Sequence, residues 1–105
     1  MAQRLSFGSV AILHAIASGN EFGFDIMDAT GLTSGTVYPA LDRLEEQGLL
    51  RSRWEDPRIA RREGRPSRRY FSLTAAGVAA LGTALERHKN LRPIDLGGRR
   101  RPSEA

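Results

Sequence analysis

Cysteine is absent from this chain, which excludes a disulfide framework, a thiol redox pair and a Cys-based zinc site. Histidine occurs only as His14 and His88, which are not at metal-ligand spacing, so no metal is expected. Aromatic residues make up 7% of the chain, with tryptophan only at Trp54. Long apolar runs are missing too. The best candidate, Val10 to Ala17, is interrupted by His14 and falls well below the ~20 apolar residues of a membrane span. With Arg4 before it and the Ala15-Ile16-Ala17 triplet inside it, that run faintly resembles a signal peptide. Phe7, Val10, Leu13, Ile16 and Ala17 nevertheless recur at helical spacing. The segment reads as the first core helix of a cytoplasmic protein without a membrane partner. No nucleophile, base and orienting partner come together in a recognisable pattern, so neither enzyme chemistry nor a cofactor is expected.

What the chain has is arginine, and it is unevenly placed. The net charge is +4 over 105 residues. Residues 1–50 hold two basic and six acidic side chains, whereas residues 51–69 hold eight arginines against Glu55, Asp56 and Glu63. From Arg92 onward the chain adds four more arginines against Asp95 and Glu104. Clustered arginine makes a local positive field and implies a polyanionic partner, the alternative being a merely solvated arginine-rich surface. A hydrophobic content of 40% builds one modest domain that gains from a partner subunit.

Apolar periodicity divides the chain into four helices and a hairpin. The first helix spans about Ser6–Ser18 and stops at Gly19-Asn20. The second is short, about Gly23–Ala29, with Phe22, Ile26 and Met27 facing inward, and Thr30-Gly31 breaks it. Thr33 is the N-cap candidate of the third helix, its hydroxyl placed to accept a first-turn amide. That helix runs to Gln47 and ends at Gly48. Val37, Leu41 and Leu44 form its buried stripe, leaving Gly35, Thr36, Pro39, Asp42, Arg43 and Glu46 outward and Tyr38 on the flank. Pro39 removes an amide donor and predicts a slight bend or a tightened first turn.

Two strand-like runs follow, Leu49–Glu55 and Arg68–Leu73, each with period-two alternation. Between them Asp56–Ser67, with two prolines, a glycine and four arginines, reads as an irregular basic wing. Thr74 caps a last helix expected to reach about Asn90, with Val78, Leu81 and Leu85 as its stripe. Gly77 and Gly82 weaken it and imply that it packs against another element. Residues 1–91 then form one domain whose last helix, about 74–90, serves dimerisation. Residues 92–105 read as a basic, disordered tail.

This order is that of a mainly α winged helix-turn-helix with a small β-hairpin. Such a fold places the start of one helix in the major groove of DNA. Thr33, Ser34, Gly35 and Thr36 occupy that start, where free amides and the helix dipole favour phosphate. Tyr38 either gives its hydroxyl to a phosphate or packs as a flanking aromatic. Arg43 either reaches the DNA backbone or pairs with Glu46 or Gln47. Asp42, Glu45 and Glu46 repel phosphate and confine contact to the first half of the helix. Wing candidates are Arg58, Arg61, Arg62, Arg65, Arg68 and Arg69, with Arg65 at the hairpin tip, aimed at the minor groove. Two other readings remain: a protein-interaction module docking an acidic partner, and an architectural DNA binder relying on the tail.

Several stretches together resemble the PadR family of bacterial transcriptional regulators. They are Phe22-Gly23-Phe24-Asp25-Ile26-Met27, Ser34-Gly35-Thr36-Val37-Tyr38-Pro39-Ala40-Leu41 and Arg43-Leu44-Glu45-Glu46-Gln47-Gly48-Leu49-Leu50. Trp54-Glu55, Gly64-Arg65-Pro66, Arg69-Tyr70-Phe71 and Leu73-Thr74-Ala75-Ala76-Gly77 continue the match, which covers roughly residues 6–86. The resemblance implies a homodimer that binds double-stranded DNA, most often as a repressor, with Tyr38 and the start of the third helix as DNA contacts. Many members continue into a longer C-terminal dimerisation helix or domain, whereas this chain looks like a minimal form. Leu5, Phe7, Leu81, Leu85 and Leu91 are then the dimer-interface candidates. A small-molecule effector is possible, but the interface that usually holds one is shortened here. Trp54 is assigned to core packing rather than to such a pocket.

Overall fold

The computed structural model describes residues 5–87. Its elements are α1 (Phe7–Ala17), α2 (Gly23–Thr30), α3 (Ser34–Glu46), β1 (Leu50–Trp54), α4 (Pro57–Glu63), β2 (Arg69–Leu73) and α5 (Ala75–Arg87). Leu91, the expected end of the last helix at Asn90 and the basic tail lie outside the described residues.

Helix α1 is the central element, packing on α2, α3, α5 and β2. Its apolar residues occupy more than one stripe, and Val10, Ile12, Leu13, Ala15 and Ile16 are all buried. Ser6 caps it by accepting the Ser9 amide at 3.1 Å, and Asn20 closes its other end by donating to the Ala15 carbonyl at 3.0 Å. Against α1 stand Ile26 of α2 and Val37, Ala40, Leu41 and Leu44 of α3. Burying each large aliphatic side chain contributes about 1.5–3 kcal/mol.

The turn between α2 and α3 is tight for local reasons. Gly31 takes the left-handed conformation at φ 77°, which costs a residue without Cβ little. The Thr30 hydroxyl donates to the Ile26 carbonyl at 2.8 Å and accepts the Leu32 amide at 3.2 Å, bracing both sides of the break. Helix α3 ends at Glu46 with Gln47 as its C-cap, followed by Gly48 at φ 79°.

Strands β1 and β2 pair antiparallel, from Leu50 opposite Leu73 to Trp54 opposite Arg69. Beyond them the Glu55 amide bonds the Arg68 carbonyl at 2.8 Å. On the far side of β2, Phe22 bridges Tyr70 and the Phe71 amide bonds the Glu21 carbonyl at 2.8 Å. The hairpin is therefore stitched to the entry of α2, a link absent from the strand periodicity.

The structure departs from the sequence expectation at the wing, at Trp54 and along the last helix. The segment that reads as an irregular wing contains α4. Asp56 caps it by accepting the Arg58 amide at 2.9 Å, Pro57 takes the first helical turn where a missing amide costs nothing, and Gly64 closes it at φ 70°. Trp54, expected in the core, is 66% exposed, because it ends β1 where the sheet has left the helices. Val78 and Leu85, expected on the buried stripe of the last helix, are 60% and 36% exposed. The buried face of α5 is instead Gly77, Leu81 and Ala84.

That rotation of α5 follows from its docking. Thr74 caps the helix through the Gly77 amide at 3.0 Å and also donates its hydroxyl to the Gly48 carbonyl at 2.6 Å. A side chain at position 77 would meet the Leu49 main chain, its Cβ standing 3.0 Å from the carbonyl carbon and nearer still to the oxygen. Only glycine lets α5 lie this close to the α3–β1 turn.

Candidate nucleic-acid interface

The two sides of α3 have different chemistry. Val37, Ala40, Leu41 and Leu44 are buried, while Ser34, Gly35, Thr36, Tyr38, Pro39, Asp42 and Arg43 are exposed. The small polar residues occupy the first turn, where the helix amides point outward. Thr33 is the N-cap residue, as expected, but its hydroxyl does not cap an amide. It sits 3.4 Å from the Thr36 hydroxyl instead. The Thr36 amide bonds the Thr33 carbonyl at 3.0 Å, a tightened first turn. No protein group among the described residues accepts the Ser34 and Gly35 amides. Pro39 has no amide to give the Gly35 carbonyl four residues before it, so a polar main-chain edge faces outward at this end.

Tyr38 lies at the margin of this surface, 47% exposed. Its ring packs against the start of α2 at Gly23, where an added Cβ would stand 2.6 Å from Cζ and 2.8 Å from Cε1. The Tyr38 hydroxyl is the atom nearest that position, so its polar end as well as its ring lies against α2, the packing half of the sequence expectation.

The acidic second half of α3 is tied to the hairpin. Arg69 of β2 donates to the Glu45 carboxylate and to the Ser52 hydroxyl, the latter at 3.2 Å, and stands 3.5 Å from Asp42. The Ser52 hydroxyl donates to the other Glu45 oxygen at 2.8 Å. Arg69, expected among the wing cations, therefore holds the hairpin against α3 and offsets the negative charge there. Arg43 is exposed and has no acidic partner among the described residues.

The arginines of the wing divide into anchors and free cations. Arg65, expected at a hairpin tip entering the minor groove, instead grips Glu55 with two bonds of 2.7 and 3.0 Å. Its side chain is 24% exposed and that of Glu55 6%. The Glu55 carboxylate also accepts the Arg68 amide at 3.1 Å. Arg65, then the Arg68 amide, hold the Glu55 carboxyl below the usual carboxylate range, while its removal from water pushes the other way. The cause of this correction is α4: once the loop is helical, Arg65 falls just beyond Gly64 and turns back to the base of the wing. Arg68 stacks its guanidinium over the Phe22 ring at 3.9 Å, a cation–π contact. Arg58 pairs with Asp56 at 2.8 Å.

Arg61 and Arg62 remain exposed, and neither makes an ion pair among the described residues. With Arg58 they line a shallow surface depression. Arg51 and Arg53 of β1 are exposed as well, and Arg53 lies over the Tyr70 ring at 4.9 Å. These two are not among the wing candidates of the sequence, although their alternation with Leu50 and Ser52 is a usable signal of exposed strand cations.

Among the dimer candidates, Phe7 and Leu85 are exposed and Leu5 is half-buried. Leu81 is turned into the protomer's own core, which removes it from any outer face. No helix among the described residues is long and apolar enough to cross a membrane.

Comparison with known proteins bears on this geometry. Nothing matches among curated protein sequences. A PadR family transcription regulator from Clostridium difficile R20291 superposes with TM-score 0.70 at 21% identity, covering 80% of this chain and 88% of its own. A PadR-like transcription factor from Bacteroides fragilis superposes with TM-score 0.66 at 27% identity, over 79% of this chain and 81% of that one. A PadR family regulator from Eggerthella lenta DSM 2243 gives TM-score 0.62 at 23% identity, with coverages of 81% and 77%. These similarities agree with a helical domain carrying one small hairpin, the winged helix-turn-helix. Residues 12–83 match the family model of the PadR-like transcriptional regulators. By that match the chain belongs to the PadR-like family, and it is a transcription regulator rather than an enzyme.

Proposed function

We propose that this regulator acts in the cytoplasm as a homodimeric, sequence-specific repressor on double-stranded DNA. The observation that carries the proposal is the first turn of α3, with Ser34, Gly35, Thr36 and Tyr38 exposed while the same helix is held by a buried apolar face. Such a turn enters the major groove with hydroxyls and free amides foremost. Ser34, Thr36 and the Gly35 main chain contact phosphates or base edges, Thr33 stands at the groove edge, and Tyr38 and Arg43 approach the backbone. Arg61 and Arg62 lie on the wing beside them. Arg65 and Arg68 support that wing from inside rather than touching DNA.

The turn carries no Asn, Gln or Arg, the side chains that read bases bidentately. Sequence choice accordingly draws on backbone placement and DNA shape. Two copies would address half-sites about one helical turn, ~34–36 Å, apart. Phe7, Leu5 and Leu85 mark the face through which they would meet. The acidic half of α3 is partly neutralised within the chain, Glu45 and Asp42 facing Arg69, which suits a helix whose first turn meets DNA.

The test is fluorescence anisotropy of a labelled duplex from the protein's own upstream region, titrated at two salt concentrations beside a scrambled duplex. Tighter binding to the native sequence, retained at the higher salt, supports a specific regulator. Equal binding that collapses with salt would reduce the interaction to the arginine field.

A further inference from the structure

We infer that α4 is a phosphate clamp: a short rigid helix that lies against the DNA backbone and does not read the minor groove. This rests on the DNA-binding reading above and adds to it which part of the duplex the wing addresses.

The first observation is shape. Residues 57–63 form a seven-residue helix, and a helix with its side chains is ~10–12 Å across. The minor groove of B-DNA is ~6 Å wide. An extended hairpin tip enters such a groove, whereas the body of α4 is too thick and only an arginine side chain on it could reach inside. The arginine best placed by sequence to enter it, Arg65, is held by the buried Glu55 carboxylate.

The second observation is orientation. Ala60 is buried, whereas Arg58, Arg61 and Arg62 are exposed. At ~100° per residue, positions 58, 61 and 62 share one face, and position 60 lies on the opposite side. The helix is thus seated through Ala60 and shows a continuous cationic face outward. Arg58 spends its charge on Asp56, leaving Arg61 and Arg62 as the two cations available to phosphate.

The third is rigidity. The entry of α4 is fixed by the Asp56 cap. Its exit is fixed by the Arg65–Glu55 pair, the Arg68 amide on the same carboxylate and the Arg65 amide bond to the Ala60 carbonyl at 3.1 Å. A clamp held at both ends loses little conformational freedom when it meets the backbone, and so contributes more of its charge to affinity. Its contacts are independent of sequence.

The experiment compares the wild-type chain with an Arg61→Ala/Arg62→Ala variant. Both substitutions are on exposed positions, and circular dichroism checks that the fold is kept. The probe is a labelled duplex enriched by the protein from a random pool, beside a scrambled duplex and a version carrying inosine·cytosine for guanine·cytosine, which alters only the minor-groove edge. Taking one arginine off a phosphate reduces the salt slope by ~0.9. Between 50 and 200 mM salt the variant should therefore lose about 12-fold less affinity than the wild type. Its weakening should be equal on enriched and scrambled DNA, and inosine should leave both proteins unchanged. A fall in the enriched-to-scrambled ratio, or an inosine penalty that vanishes in the variant, would mean that these arginines read the minor groove. An unchanged salt slope would mean that α4 does not touch DNA. If no sequence is enriched and no duplex binds, the regulatory reading itself falls, an outcome distinct from the other two.

Discussion

Gly77→Ala and Gly82→Ala make the same chemical change on the same helix, and the structure gives them opposite signs. At Gly82 an added Cβ meets nothing within 4 Å, so the substitution acts through the unfolded chain and helix propensity. Replacing a helical glycine by alanine at such a site stabilises by about 0.5–1 kcal/mol. At Gly77 the same Cβ stands 3.0 Å from the Leu49 carbonyl carbon and closer to its oxygen. Non-bonded carbons settle near 3.5–4.0 Å, so α5 must withdraw by about an ångström. Overpacking against main chain costs about 1–3 kcal/mol. The withdrawal also stretches the 3.1 Å bond from the Thr74 amide to the Leu49 carbonyl, adding about 0.5–1.5 kcal/mol. Subtracting the propensity gain leaves a net loss of about 0.5–4 kcal/mol for Gly77→Ala. In a domain of this size each kcal/mol moves Tm by about 4–8 °C. Urea unfolding followed by circular dichroism reads both variants, with unchanged m-values as the check on two-state behaviour. If the two substitutions shift stability in the same direction, the docking of α5 on the α3–β1 turn has been misjudged.

Three further outcomes are expected. Gly23→Ala displaces the Tyr38 ring packed over it, so its effect on DNA affinity should disappear in a Tyr38→Ala background. An undiminished effect there would separate the two residues. Glu55 is held below the usual carboxylate range by Arg65, so its stabilisation is complete above its unfolded-state value and is lost as pH falls through its lower folded-state value. Tm measured downward from pH 7 should therefore drop in the acid range, and Glu55→Gln should flatten that drop while leaving the slope between pH 6 and 8 unchanged. A steeper acid drop in the variant would refute this assignment. Arg69→Met releases Glu45 and Asp42 and should weaken DNA binding, while costing about 1.5–3 kcal/mol of stability for the lost bond to the half-buried Glu45 carboxylate. Binding that stays at the wild-type level would show that the acidic half of α3 needs no neutralising.

Local signals make much of this protein legible before its structure. Ser6, Gly19, Gly31, Gly48 and Thr74 mark helix ends through chemistry that acts over a few residues, and those ends fall where such residues put them. Val37, Leu41 and Leu44 repeat at the helix period, which alone decides that Gly35, Thr36, Pro39, Asp42 and Arg43 face outward. The order of these motifs is enough to point to the family and hence to DNA. The departures arise where the partner is distant in sequence. Whether Val78 or Gly77 faces inward depends on Leu49, and the wide apolar stripe of α5 permits either. Glu55 takes Arg65 because α4 brings position 65 back to the base of the wing, and the α4 segment itself is hidden under a composition that reads as loop. Trp54 satisfies the rule that aromatics pack inward, but it sits at the end of a strand that has run past the core. The sequence by itself determined α1, α2, α3, the start of α5, the hairpin and the exposed turn of α3, because capping and periodicity are local. Only the tertiary structure decided which arginines are anchors and which are free, because an arginine's role depends on the carboxylate or ring that folding brings to it.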